Sequence, residues 1–532
     1  METSSDLRHR LSRGLSPKVV NLLVLVGTLG TVAAGAWLRF GVNSALWLDE
    51  ALTVHISNLP VDQIHGALKR DGAPPLYYLL LHYWMQDVGT TPAAMRALSG
   101  VFALATIPVV WFMVWRNWGR RVAEISVALL ASAPYAIYYA TEVRPYAQVI
   151  FFAALGMLAF IELARNPRWY WSALLALSVA GGMYTHYWTM YLVASGLVIL
   201  VARWWKLGSG PSTWWTLGGF ALGGLAFLPW MPTFLYQSAH TGTPWGDKPA
   251  ITTVVGALTH FNEDQARLIP FNSLHSHVIS ALYLLLPAVA LLGASSGRFS
   301  IDFDFRTRPQ HRAILFALVG TMTFGIVGCI MSGSAFVPRY AAVAFIPLVI
   351  ACALGTRQFA DPVLRSIIVV ALVFASLYAA SSYRKTKRTQ APQVAAVVNE
   401  HAKAGDVLAF CPDQLGPSVV RLVKVNGLKY SVFPSGSNPS TVDWVNYLPR
   451  IEHGHFDRWA AKLRAMAGPS HHVWLVYAGG YRKYHGACTN AAAAMANSAG
   501  WNAHDWVKTK PRAFYQPMTL TEFAPITAPS RS

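Results

Sequence analysis

The chain has 532 residues, of which 54% are hydrophobic and only 13% charged, with a mean hydropathy of +0.35. That balance excludes an ordinary soluble protein of this size and points to a chain that crosses a membrane many times. A formal charge of +19 would suit nucleic acid, but the basic residues recur in short clusters between apolar runs and no nucleic-acid module is recognisable, so much of the charge records membrane topology.

The first apolar run, Val19–Leu38, follows Arg8, Arg10, Arg13 and Lys18 and lacks an A-x-A cleavage site, so it reads as a retained signal anchor. Including it at 19–39, runs of spanning length fall near 95–115, 122–140, 146–164, 170–187, 189–203, 215–235, 277–295, 313–332, 340–356 and 365–383. These predict a polytopic α-helical membrane protein with about eleven transmembrane helices. The clusters Arg116/Arg120/Arg121, Arg165/Arg168, Arg203/Lys206, Arg298/Arg306/Arg308/Arg312 and Arg357/Arg365 occupy every second loop, which sets them and the N-terminus in the cytoplasm. An odd number of spans then carries the C-terminus outside, together with segment 40–94, the turn near 141–145, the loop 236–276 and the turn 333–339.

Segment 40–94 is expected to form a re-entrant first external loop. It holds helix-like pieces at Ala51–Leu59 and Val61–Lys69, then Asp71-Gly72-Ala73-Pro74-Pro75 and the aromatic run Leu76–Trp84. Amphipathic pieces of this kind can lie along the membrane interface, with Tyr77, Tyr78, Tyr83 and Trp84 at headgroup depth. Residues 1–383 thus form a membrane domain. Beyond 384, strand-length groups (Val407–Cys411, Tyr430–Phe433, His472–Tyr477, Phe514–Leu520) alternate with helix-like stretches (Ser418–Val425, Phe456–Met466, Asn490–Ser498), predicting an extracytoplasmic α/β domain over 384–532. Cys411 and Cys488 lie in that domain and could pair outside the cell, whereas Cys329 and Cys352 fall in apolar runs as small core residues. The glycines of the domain form no GxGxxG pattern, so no nucleotide site is supported.

Ionisable groups at membrane depth are costly, which makes each a functional candidate. At the predicted external helix ends they are Asp49 and Glu50 in LWLDEA, Asp71, Glu142 and Arg144 in TEVRPYAQ, His186 in YTHYW and Arg339 in FVPRY, with His82 a weaker addition. All fall on one predicted side. Two carboxylates could serve glycoside hydrolysis, where a poor leaving group must be protonated. A sugar on a polyprenyl phosphate already carries a good leaving group, so one base and one or two arginines suffice. In that reading Asp49 accepts the proton of an attacking hydroxyl, and Glu50 beside it either shares the site or pairs with a nearby arginine. Arg144 and Arg339, with Tyr146 and Tyr340 next to them, hold the phosphate through the guanidinium fork. Asp71, Glu142, His186 and His82 support substrate. A single in-line displacement inverts the anomeric centre. No dense His/Asp/Glu cluster with ligand spacing appears; a divalent metal ion, if one is used, is to be sought first at Asp49, Glu50 and His186.

These motifs carry a resemblance. The DE pair after the first span, D-x-x-PPLYY with H-x-W behind it, E-x-RPYA, TH-Y and a late P-RY, taken in order over about 1–380, resemble the GT-C glycosyltransferase superfamily. Within it, the motifs resemble the bacterial family 39 members, like the dolichyl-phosphate-mannose protein mannosyltransferases and the lipid A aminoarabinose transferase. The resemblance implies a GT-C fold, a polyprenyl-phosphate sugar donor and work at the external face of a bacterial cytoplasmic (inner) membrane. It also implies mannose or a pentose such as arabinose as the sugar, and a catalytic or site-organising role for the acid at Asp49. The tail lacks the MIR repeats of the eukaryotic protein mannosyltransferases, so a cell-envelope glycan or glycolipid is placed ahead of protein as acceptor. Two rivals are a transporter or flippase of lipid-linked sugars, using the same arginines to bind phosphate, and a degenerate member whose tail serves binding or assembly. The first is disfavoured because the acids cluster at helix ends and no inverted repeat appears.

Overall fold

The computed structural model describes residues 16–242, 249, 274–295, 297, 301–303, 309–436, 438–480 and 484–526. Each of the eleven apolar runs is mainly helical in it. Among the described residues, eight helices are long and apolar enough to cross a membrane, and a ninth span arises if Arg120–Ser132 and Pro134–Ala140, bent by 54° at Ala133, count as one. The remaining runs are the 15-residue Trp169–Met183 and Leu274–Leu292. The chain is therefore a multi-pass membrane protein. Of the loop expected at 236–276, residues 243–248 and 250–273 lie outside the described residues.

Helix ends follow the local chemistry. The Thr91 hydroxyl accepts from Ala94 N–H ahead of Pro92, and Asp361 accepts from the N–H groups of Val363 and Leu364 ahead of Pro362. In both cases an N-cap side chain satisfies orphan donors and proline fills the first position. Small residues set the packing: a Cβ at Gly355 would stand 2.0 Å from the Leu286 carbonyl oxygen, so the helices Leu274–Leu292 and Phe345–Thr356 touch backbone to backbone there. The Pro338–Thr356 span is 89% buried and forms the centre of the bundle, whereas Lys18–Arg39 is 11% buried and presents Leu22, Val26 and Leu29 outward, as a helix bathed in lipid does.

The first loop folds as three helices, Leu48–Ser57, Val61–Asp71 and Leu76–Asp87. Tyr77 and Tyr78 are fully buried within the protein, their hydroxyls meeting Ser99 Oγ at 2.8 Å and the Asp71 carboxylate at 3.0 Å. Tyr83 is the exposed member of the run, at 54%.

A short antiparallel pair, β1 (Gly293–Ser295) with β2 (Ile301–Phe303), joins two spans. The C-terminal region holds a five-stranded sheet of β3 (Val407–Cys411), β4 (Lys429–Val432), β5 (Val473–Tyr477), β6 (Trp501–Val507) and β7 (Thr519–Pro525) in the order β4-β3-β5-β7-β6. β3 is parallel to β4 and β5; β7 is antiparallel to β5 and β6. Cys411 at the end of β3 is bonded to Cys488 of the helix Ala487–Ala496, closing a separation of 77 residues. The region seats on the first loop and its neighbour: Trp444 N–H donates to the Arg70 carbonyl and Asn446 N–H to that of His240, and the helix Gly416–Val420 packs on Leu48–Ser57.

Candidate active site

Asp49 and Glu50 open the helix Leu48–Ser57, and a helix turns about 100° per residue, so the two carboxylates point apart. Asp49 faces a partly open space. Its Oδ2 is 3.2 Å from Arg339 Nη1 and 4.0 Å from Arg144 Nη2. Arg144 comes from the short connection between Pro134–Ala140 and Tyr146–Arg165, and its Nη1 donates to Thr53 Oγ1 at 3.0 Å, one turn beyond Asp49 on the same face. Arg339 begins the 3₁₀ segment Pro338–Ala344, where backbone carbonyls at 338 and 339 accept from the Tyr135 hydroxyl.

Aromatic rings wall this space. The Arg144 guanidinium lies 5.8 Å from the Tyr146 ring and that of Arg339 5.7 Å from the Tyr340 ring. His186 sits between the two tyrosines, 5.8 Å from Tyr146 and 5.2 Å from Tyr340, and its Nδ1 accepts from Trp188 N–H at 3.3 Å. Tyr146 carries a buried hydroxyl that meets no partner among the described residues.

Of the two roles the sequence left open for Glu50, the structure shows pairing with arginines. Glu50 is wholly buried and its oxygens are taken: Arg96 Nη2 at 2.6 Å and Nε at 2.8 Å, Arg388 Nη1 at 3.2 Å and Val143 N–H at 3.1 Å. Burial raises its carboxyl, but the Arg96 and Arg388 charges outweigh this and hold it below the usual range. A carboxylate so enclosed cannot meet a substrate. It ties the start of the Asp49 helix to the second span and to the segment leading into the C-terminal region.

Glu142 lies next to this network, accepting from Trp47 Nε1 at 3.2 Å with Arg388 Nη1 at 3.7 Å. Burial, reinforced by Glu50 and Asp49 and opposed by Arg388, raises its carboxyl to about 7. Asp71 is raised by burial, against the pull of Arg144 and the Tyr78 hydroxyl that binds it. His82 stands apart from the Asp49 group: its Nδ1 is 2.7 Å from the Ser57 carbonyl and its Nε2 2.8 Å from Gln86, so it fastens the far end of the Asp49 helix. The suggested metal ligands do not fit a cation either. Glu50 is saturated by two guanidiniums, Asp49 faces two more, and among the described residues no three His, Cys, Asp or Glu side chains converge.

Sequence reasoning missed Arg96, Arg388, Thr53, Trp47 and Tyr515. Arg96 had a usable signal, a charge at the mouth of an apolar run. Arg388 was lost among the bases of YRKTKR. Tyr515, from the C-terminal region, packs edge-on to Trp47 at 4.7 Å, close enough to feel the Arg339, Asp49 and Glu142 charges, and burial pushes its phenol up to about 12.

With this geometry in view, likeness to known proteins becomes informative. Residues 72–232 match the family model described as dolichyl-phosphate-mannose-protein mannosyltransferase, a stretch that includes Glu142, Arg144, Tyr146 and His186 but neither Asp49 nor Arg339. No curated protein matches the sequence. Among solved structures, ArnT from Cupriavidus metallidurans superposes with a TM-score of 0.55 in its apo state and 0.53 bound to undecaprenyl phosphate, at 10% identity, over 95% of this chain and 98% of that one. The Archaeoglobus fulgidus oligosaccharyltransferase, solved with Zn and sulfate, aligns at TM-score 0.50 and 9% identity over 89% of this chain and 70% of its own. The mycobacterial arabinofuranosyltransferase AftD does so at 0.50 and 14%, over 94% and 40%. At such identities the likeness is one of fold, and the fold is GT-C. The chain therefore has the GT-C membrane fold, and over residues 72–232 it is similar to a mannosyltransferase family.

Proposed function

We propose that the chain moves one sugar, with inversion, from a polyprenyl phosphate donor to a cell-envelope glycan or glycolipid, with protein the second choice of acceptor, at the external face of a bacterial cytoplasmic membrane. The observation that carries this reading is the Asp49 carboxylate set 3.2 Å from Arg339 and 4.0 Å from Arg144. One acid and two guanidiniums at the end of a bundle match what the reaction needs. The polyprenyl phosphate is supported by the bound undecaprenyl phosphate of the ArnT relative, and mannose or arabinose by the names of the matching family and of AftD.

The donor phosphate is an anion and competes with Asp49 for the two guanidiniums, which form charge-assisted forks with phosphate oxygens. Displaced from Arg339, the Asp49 carboxylate is free to take the acceptor hydroxyl proton. The hydroxyl oxygen then attacks the anomeric carbon while the bond from that carbon to the phosphate oxygen breaks. The electron pair leaves with the polyprenyl phosphate, whose added negative charge the arginines neutralise. Asp49 keeps the proton until water removes it. His186, with Tyr146 and Tyr340, supplies a ring-lined wall suited to a sugar face. Radiolabelled polyprenyl-phosphate mannose and arabinose, each given to purified protein with an envelope extract, test the proposal: labelled glycan or glycolipid is expected, and label left wholly on the donor in both arms contradicts it. A flippase would bind the donor without forming product.

A further inference from the structure

The side of the Asp49 helix turned away from the candidate site lines a cleft of its own. On a helical wheel Asp49, Thr53 and Ile56 share one side, while Ala51, Val54, His55 and Asn58 fall diametrically opposite. That opposite side forms one wall of a cleft of about 610 Å³ whose other wall belongs to the C-terminal region. Arg421, at the end of Gly416–Val420, Tyr430 of β4, and Asn438 and Ser440 of the following loop face His55 and Asn58 across it.

Its chemistry is consistent. Among the described residues, the side chains of His55, Asn58, Arg421, Tyr430 and Ser440 make no hydrogen bond, and the Asn438 carboxamide oxygen accepts only from Ser440 N–H. A guanidinium, an imidazole, two carboxamides and two hydroxyls therefore line the cleft together with the Tyr430 ring and the apolar side chains of Val54, Pro417, Val420 and Pro439, with no carboxylate among them. Such a set suits a ligand with many hydroxyls and a few C–H faces: hydrogen bonds go to the hydroxyls and the Tyr430 ring covers a C–H face. It does not suit a basic peptide, which Arg421 repels. The volume lies inside the range of about 300–1,000 Å³ usual for small-ligand sites.

We propose that this cleft is a glycan-binding exosite, which holds sugar units of the acceptor away from the reacting hydroxyl. The inference rests on the acceptor being a glycan, as proposed above. Only one helix diameter, about 10 Å, separates the cleft from Asp49, so the site captures acceptors several sugars long and is indifferent to a single sugar. Anchoring remote units raises the local concentration of the acceptor end at Asp49 without touching the bond that breaks.

The test reads binding without catalysis. Linear manno- and arabino-oligosaccharides of two to six units are titrated against the full chain in detergent, without donor, by calorimetry. Affinity is expected to rise with length. Arg421→Ala, which removes charge-assisted hydrogen bonds, and Asn58→Trp, which fills the cleft, should each weaken binding about tenfold or more. Both side chains are exposed and make no hydrogen bond in the described structure, so folding is not at stake. Asp49→Asn should bind as the parent does. In transfer assays Arg421→Ala should raise the KM of long acceptors and leave the rate on a monosaccharide glycoside unchanged. Failure of every oligosaccharide to bind, or parental binding by Asn58→Trp, overturns the exosite. A chain that binds glycans through these residues yet transfers no sugar keeps the exosite and refutes the transferase reading.

Discussion

Arg388 donates to Glu50 Oε1 at 3.2 Å across 338 residues of sequence, so the segment that leads into the C-terminal region closes the floor beneath the Asp49 helix. The same guanidinium donates to the Thr141 carbonyl at 2.9 Å and hydroxyl at 2.7 Å, joining the connection that carries Glu142 and Arg144. Removing one partner of a buried charge network strands the others without water, at a cost of about 3–5 kcal/mol. Arg388→Ala should accordingly lower the thermal midpoint in detergent by several degrees and reduce transfer through misplacement of Asp49. A melting profile equal to the parent's would show that the network is dispensable.

The arginines differ in what they can lose. Arg144→Ala removes one fork and should weaken donor binding about 10- to 100-fold, the size of a lost charge-assisted contact. Arg339→Lys keeps the charge but not the planar fork, and should recover only part of the affinity. Titration with a radiolabelled polyprenyl-phosphate sugar checks both; an unchanged donor affinity in Arg144→Ala removes that residue from the phosphate site.

Tyr515 brings the C-terminal region to the edge of the Asp49 space, and its hydroxyl makes no hydrogen bond among the described residues. Tyr515→Phe keeps the packing on Trp47 and deletes that hydroxyl. A fall in kcat/KM of about 3- to 10-fold with an unchanged melting point is expected if it contacts substrate, in line with one neutral hydrogen bond. Parental kcat/KM would assign Tyr515 to packing alone.

Glu142 makes a prediction about pH. Burial raises its carboxyl in the folded chain to about 7, above its value in the unfolded chain. A group shifted in this direction favours the folded state most when protonated, so its contribution is present at low pH and is lost as pH climbs from the ordinary carboxyl range through about 7. Glu142→Gln, neutral throughout, should flatten the dependence of melting temperature on pH in that window. An unaltered slope would place the titration elsewhere.

Much of the fold could be read in advance because apolar runs of spanning length admit almost one solution, a helix whose backbone satisfies itself. The eleven runs are mainly helical for that reason. β3, β4 and β5 were equally legible as strand-length apolar groups. β6 was not: Trp501–Val507 is an edge strand whose polar residues are mostly exposed, so no apolar pattern betrays it. The expected strand at Phe514–Leu520 begins later, at Thr519, because register against β5 is set by pairing partners that the local pattern does not reveal. At the site, Asp49, Arg144, Arg339, Tyr146, Tyr340 and His186 were found as charges and rings at helix ends, and the structure gathers them. Reading Asp49 and Glu50 as a pair failed because neighbours in a helix face different ways, and Arg388 was hidden because a buried guanidinium in a basic tract looks like any solvated one.

The most direct test of the account is transfer by Asp49→Asn, measured with a radiolabelled polyprenyl-phosphate sugar alongside donor binding by the same preparation. Loss of the general base should lower the rate by about 10²–10⁴-fold while the protein still expresses, melts like the parent and binds donor through Arg144 and Arg339. Transfer at the parental rate by the asparagine variant would contradict the assignment of Asp49 as the base.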